Sequence, residues 1–173
     1  MTAQTAILVA LALPLVGALG IALAGRVSAN LRETVTLVTA GGLAFTVWQL
    51  VPEIMAGGRP GVTLAEVLPG IDIAFTVEPL GMLFAALASG LWIVNSIYSI
   101  GYMRGNAEKN QTRFYVMFAV SLAATIGIAF AGNLFTLFLC YEALTLATYP
   151  LVSHKGDEKT VRSARVYLGI LLA

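Results

Sequence analysis

Charge is what this chain has least of. Asp, Glu, Lys and Arg make up 11% of its 173 residues, while 58% are hydrophobic. An ordinary soluble domain has about 25% charged and about 45–50% apolar residues. This balance excludes a typical water-soluble globule and points to a membrane protein. The formal net charge is +1, so no global field draws in nucleic acid or an acidic partner. Cysteine occurs once, at Cys140. One cysteine excludes an internal disulfide, a structural zinc site and an iron–sulfur cluster. Inside "FLCYE" it reads as a small apolar residue. The single histidine, His154, has no partner set for a metal and reads as a solvated interfacial side chain. No cofactor-binding motif occurs, so neither a cofactor nor a metal is expected.

What is present is a series of long apolar runs. A membrane-spanning helix needs about 20 mostly apolar residues. Residues 1–25, 34–52 and 79–103 carry no charge, and residues 114–153 carry one. The last run is too long for one span and divides at Gly132-Asn133, a turn signal. Five spans are therefore expected, at 5–25, 34–52, 79–102, 113–131 and 134–153. The first has no basic flank before it and exceeds a signal-peptide core, so it reads as a retained helix. A sixth run begins at 159 and reaches 173 as "VYLGILLA". Eight apolar residues rise only about 12 Å as a helix, against a hydrocarbon core of about 30 Å. The expectation is an unfinished sixth span in a fragment or truncated reading frame; the alternative is a short re-entrant or interfacial helix. The fold class is thus an all-α polytopic membrane protein, with residues 1–173 forming part of one transmembrane domain.

Basic residues collect in cytoplasmic loops. Arg26 and Arg32 fall in the first connection, and Arg104, Lys109 and Arg113 in the third. Lys155, Lys159, Arg162 and Arg165 fall in the fifth and at the start of span six. Only Arg59 lies on the other side. The N-terminus is therefore expected outside. Tyr98 and Tyr102 fit where span three meets the cytoplasmic interface.

The one long loop, 53–78, separates spans two and three. From Ile71 to Val77 apolar residues alternate with Asp72, Ala74 and Thr76, the period of a half-buried strand. Val62 to Val67 is a weaker strand, and Leu68-Pro69-Gly70 can turn between them. An external β-hairpin is expected. A lone hairpin is marginal in water, so it should lean on its own helix ends or on a neighbouring subunit. Glu78-Pro79 reads as a helix start, with a carboxylate at the positive end of the dipole.

Glu142 is the charge that needs explaining. It lies eight residues into span five, about 12 Å deep, too far for a glutamate to reach the interface. Insertion scales put an ionisable residue there at about 2.5–3.5 kcal/mol, and such residues mark ion or proton pathways. Burial raises a carboxylate's proton affinity and a nearby cation lowers it. A group balanced between those effects can bind and release a proton as a neighbouring charge moves. Thr145 and Tyr149 continue a polar stripe at i+3 and i+7. Pro150 removes a backbone donor, and a kink there would open the cytoplasmic end of the helix to water. Arg162 and Arg165 share a face of span six. By rise, Arg165 descends about 9 Å from Lys159, and Glu142 lies about 16 Å from Ser153. A guanidinium could cover much of that gap through water, or both arginines could snorkel to the interface. Glu142 could also be a permanently protonated group that only hydrogen-bonds between helices. Asn95 and Ser99 share a face of span three with Trp92, and interhelical hydrogen bonding explains them.

Three stretches together resemble one family. "FTVEPLGMLFAALASGLWIVNSIYSIGYM", "NLFTLFLCYEALTLATYPLV" and "SARVYLGILLA" are similar to the third-, fifth- and sixth-helix blocks of the antiporter-like proton-transporting subunits. These occur in Mrp-type multisubunit sodium/proton antiporters, respiratory complex I and membrane-bound hydrogenases. The wording most resembles the Mrp D subunit, and covers residues 75–173; the first two spans match only in hydropathy. The resemblance implies a bundle of about fourteen helices built from two inverted repeats. It aligns Glu142 with a fifth-helix glutamate that pairs with a seventh-helix lysine and modulates its proton affinity. That lysine has no counterpart up to Ala173. Glu78 stands where the family usually has aspartate. The resemblance implies an ion-transporter subunit, not an enzyme, in a bacterial inner membrane. Its partners would be the bilayer, other membrane subunits, protons and Na+. The alternatives are the equivalent subunit of complex I or a hydrogenase, and a non-transporting assembly subunit.

Overall fold

A computed structural model of the protein describes residues 1–154 and 158–171. Lys155 and residues 172–173 of the sixth apolar run lie outside the described residues. In chain order the elements are α1 (Ala3–Ala24), α2 (Ala29–Trp48), α3 (Val51–Met55), β1 (Gly61–Leu68), β2 (Ile71–Thr76), α4 (Pro79–Gly105), α5 (Gln111–Ala129), α6 (Leu134–Val152) and α7 (Glu158–Leu171). Five segments are long and apolar enough to cross a membrane: α1, α2 with α3, α4, α5 and α6.

Polar caps set the helix starts. Thr2 Oγ1 accepts from Thr5 N (3.2 Å), Ser28 Oγ from Leu31 N (3.1 Å) and Asn133 Oδ1 from Thr136 N (2.8 Å). Each satisfies a backbone donor that the first turn would leave unpaired. The Ser28 cap corrects the expected second span, which starts five residues earlier than 34 and takes Arg32 and Glu33 into the helix. Both are buried, at 6% and 5% exposure.

The helices pack around a shared core. α1 lies against α2 and α5, α2 against α4, and α5 against both α4 and α6. Ile7, Leu43, Val47, Trp92, Ile126 and Phe130 are fully or almost fully buried within it. At the α5–α6 seam a side chain on Gly127 would place its Cβ 2.7 Å from Cys140 Sγ. Glycine there lets the two backbones approach. Cys140 accordingly behaves as a packing residue.

The hairpin forms between α3 and α4. β1 and β2 are antiparallel, pairing Gly61 with Thr76 and Leu68 with Ile71, with irregularities after Thr63 and after Glu66. Gly70 turns the chain at φ +82°, a conformation glycine adopts without steric cost. Within the chain, the hairpin leans on the helix ends where α5 meets α6. Thr76 N donates to Phe130 O (2.7 Å) and Gly132 N to Ala74 O (2.9 Å), both in the α5–α6 connection. Thr136 Oγ1 accepts from Ala74 N (3.0 Å), and Asn133 Nδ2 donates to Asp72 O (2.8 Å).

Glu78 precedes α4 without capping it through its side chain. Its carboxylate instead accepts from Arg59 Nε at 2.9 Å, which pairs the lone basic residue of that side.

Candidate functional site

α6 carries Glu142 eight residues past its first residue, Leu134. The helix is the least enclosed of the five spans. Only 17% of its apolar window is buried, against 28% to 44% in the others. Glu142 is half-buried on it, Thr145 is buried, and Tyr149 is half-buried. The helix places the three on one stripe. Among the described residues Glu142 makes no hydrogen bond or ion pair, and Thr145 uses its carbonyl to accept from Thr148 Oγ1 (3.0 Å). α6 runs on through Pro150 to Val152, so the proline does not end the helix at its own position.

α7 packs against α6 and buries Ala164 completely. Arg162 and Arg165 are both exposed on it, and neither forms an ion pair with Glu142. Sequence spacing alone had made either arginine a candidate partner. His154 departs from its expected solvated setting. Its ring stacks edge-on against Phe114 at 5.7 Å, and both ring nitrogens are buried without a partner among the described residues. Its carbonyl accepts from Arg113 Nη2 (3.1 Å).

A charged cluster that loop assignment had hidden lies where α2, α4 and α5 meet. Arg32 Nη2 donates to Glu33 Oε1 (3.1 Å) and to Gln111 Oε1 (2.8 Å), and Nη1 donates to Thr112 Oγ1 (3.3 Å). Arg104 donates through Nε to Glu33 Oε1 (3.0 Å) and through Nη2 to Glu33 Oε2 and Asn30 Oδ1. The Arg32 guanidinium lies 5.0 Å over the Tyr115 ring. The signal was available in the spacing. Arg32 and Glu33 sit four and three residues before Thr36, on the stripe that continues through Ala40, Leu43 and Val47. A charge-free window cannot register charged residues that pair inside the bundle.

An apolar cavity of about 310 Å³ lies along the α5–α6 seam, bounded by Leu11, Phe75, Val120, Cys140 and Ala143 among others. Glu142 is not in its lining. Among the described residues that line it, the titratable group is the Cys140 thiol, so this cavity is a poor place for proton transfer.

Comparisons with known proteins bear on the whole arrangement. Residues 69–115 match the family model for the N-terminus of chain 5 of NADH-ubiquinone oxidoreductase, complex I. The N subunit of the NADH-quinone oxidoreductase of Desulforudis audaxviator is 26% identical over 168 residues, covering 95% of this chain and 33% of that protein. An Na(+)/H(+) antiporter subunit from Alkalihalophilus pseudofirmus is 33% identical over 89 residues, covering 50% of this chain and 11% of that protein. The chain thus spans a third or less of the length of these relatives. Among solved structures, one chain of the membrane-bound sulfane sulfur reductase, an archaeal respiratory membrane complex, shares the fold. The TM-score is 0.80 at 16% identity, over 94% of this chain and 33% of that one. Five spanning helices, the hairpin between the second and third, and these relatives agree: the chain is a multi-pass membrane protein similar to the antiporter-like subunits.

Proposed function

We propose that the chain is part of a proton-translocating subunit of a multisubunit cation/proton antiporter, with Glu142 as its proton-responsive carboxylate. The observation that carries this is the position of Glu142. It stands mid-way along α6, half-buried, without an ion-pair partner among the described residues. A carboxylate so placed is free to pair with a cation that approaches it. Thr145 and Tyr149 extend the polar stripe toward the end of the helix, and Arg162 and Arg165 on α7 are cations at that end. The protein itself performs no covalent chemistry in this reading. Its partners are the other membrane subunits, and Na+ is the exchanged cation. Residues 1–173 belong to one antiporter-like transmembrane domain in a bacterial inner membrane, with the N-terminus outside. The basic connections around Arg26, Arg104 and Arg113 support that orientation.

A second reading is favoured by the alignment over 168 residues, to a quinone oxidoreductase subunit. There redox energy in other subunits would drive the same proton step. The two part on what energises the flux. Everted vesicles carrying the natural complex would show proton movement on adding Na+ in the first case, and only on adding an electron donor and quinone in the second. In either, Glu142→Gln should abolish driven proton movement, and unchanged flux would remove Glu142 from the mechanism.

A further inference from the structure

The Arg32–Glu33–Arg104 cluster is built more heavily than a helix staple requires. Two guanidinium groups face one carboxylate, which leaves one formal positive charge. Arg32 and Glu33 are almost wholly enclosed, each with 7% of its side chain exposed. Arg32 Nε keeps an unpaired donor in the interior among the described residues. The cluster ties α2 to α4 and α5, and Gly25 at the end of α1 abuts Thr112 beside it. It therefore occupies one end of the α1–α2–α4–α5 bundle. Farther along α2 and α4 the packed helices bury hydroxyls, among them Thr36, Ser96 and Ser99. The row of hydroxyls begins at the cluster, where Thr36 Oγ1 donates to Arg32 O (2.9 Å).

An arginine cannot serve as a relay, because it does not release its proton at accessible pH. Its fixed charge repels cations, and in membrane channels a positive group set in a constriction excludes protons by that means. From these positions we infer that the cluster is an electrostatic plug. It closes the α1–α2–α4–α5 end of the bundle to protons and metal cations, so that driven ions are confined to the α6 side that carries Glu142. Arg32 sets the specificity. This rests on reading the chain as part of a proton-translocating subunit, since only then does a leak through the bundle matter.

The plug depends on net charge, whereas a staple depends on the guanidinium fork. Arg32→Gln leaves Glu33 paired with Arg104 and brings the cluster to zero. Arg32→Lys keeps the positive charge and loses the fork. Arg32→Gln with Glu33→Gln removes the buried pair and returns the cluster to one positive charge on Arg104. A unit charge about 10 Å from a passing cation, at an effective permittivity of about 20, changes its passage by roughly tenfold. The measurement is passive proton leak: decay of an imposed pH gradient, followed with an entrapped dye and valinomycin, in liposomes holding the natural complex and no energy source. Arg32→Gln should leak roughly tenfold faster than the parent. Arg32→Lys should stay within about twofold of it, and the double variant, whose remaining charge sits on the half-exposed Arg104, should fall between parent and Arg32→Gln. An Arg32→Gln leak equal to the parent's overturns the plug, and so does an equal leak in all three variants, which would mark a staple. Glu142→Gln is run alongside for driven flux. If it abolishes driven flux while Arg32→Gln does not leak, the plug fails and the functional reading stands. If it leaves driven flux intact, the functional reading fails whatever the leak.

Discussion

Replacing Gly127 by alanine should loosen the seam that holds the Glu142 helix. An added Cβ would sit 2.7 Å from Cys140 Sγ and 3.4 Å from Cys140 Cβ. An ordinary carbon–sulfur contact is longer by about 1 Å, so the sulfur or the whole of α6 must move. Overpacking of this kind costs about 1–3 kcal/mol. The α5–α6 pairing is extensive and α7 holds α6 only lightly, so α6 is the element that yields. Cys140 lies two residues from Glu142, and a shift of α6 therefore carries the carboxylate with it. Cys140→Ala removes the clashing sulfur and leaves the tolerable 3.4 Å approach. The double variant should recover most of the loss, with a coupling of about 1–2 kcal/mol of opposite sign. Unfolding in mixed micelles by denaturant titration, on the parent, both single variants and the double, measures this cycle. A Gly127→Ala protein as stable as the parent refutes the packing argument. So does a double variant whose loss is the plain sum of the two.

The other perturbations test polar contacts. Glu33→Gln leaves the enclosed Arg32 guanidinium without its carboxylate, and breaking a buried pair on one side costs about 3–5 kcal/mol; a loss under about 1 kcal/mol in the same titration would mean the Arg32–Glu33 pair is not buried as described. Thr136→Val strips Ala74 N of its acceptor and Asp72 O of one donor. The cost is about 1–3 kcal/mol, and hydrogen exchange should quicken at the Ala74 amide but not in α1; an unchanged Ala74 rate would contradict it. Arg59→Gln removes a pair whose side chains are 40% and 61% exposed, so stability should fall by less than about 1 kcal/mol, and a larger drop would point to a role for Glu78 beyond that surface contact.

Much of the fold was legible because the bilayer leaves few options. Backbone groups in hydrocarbon must pair within their own segment, so apolar length alone located five helices to within a few residues at most ends. The alternation from Ile71 to Val77 likewise found β2, which ends at Thr76. The misreading of α2 has a definite cause. Charge-free length treats Arg32 and Glu33 as loop, yet ion pairing with Arg104 lets both enter the bundle. Glu142 was visible from its isolation, as the one charged residue within 114–153. A charge partner for it could not be read from spacing, because rise along two helices fixes depth and leaves rotation open. Arg162 and Arg165 have a suitable depth and are exposed all the same. His154 shows the same limit: nothing in its neighbours along the chain announces the ring of Phe114, 40 residues earlier.

Glu142 carries the functional reading, and one substitution reaches it most directly. Glu142→Gln keeps the size of the side chain, replaces one acceptor oxygen by an amide donor, and removes both the negative charge and the ability to exchange a proton. Driven proton flux should be measured for parent and variant in vesicles containing equal amounts of the natural complex. Flux should be lost while expression and unfolding midpoint stay as in the parent. Flux at the parent rate, in a complex shown to carry the substitution, would contradict the role assigned to Glu142.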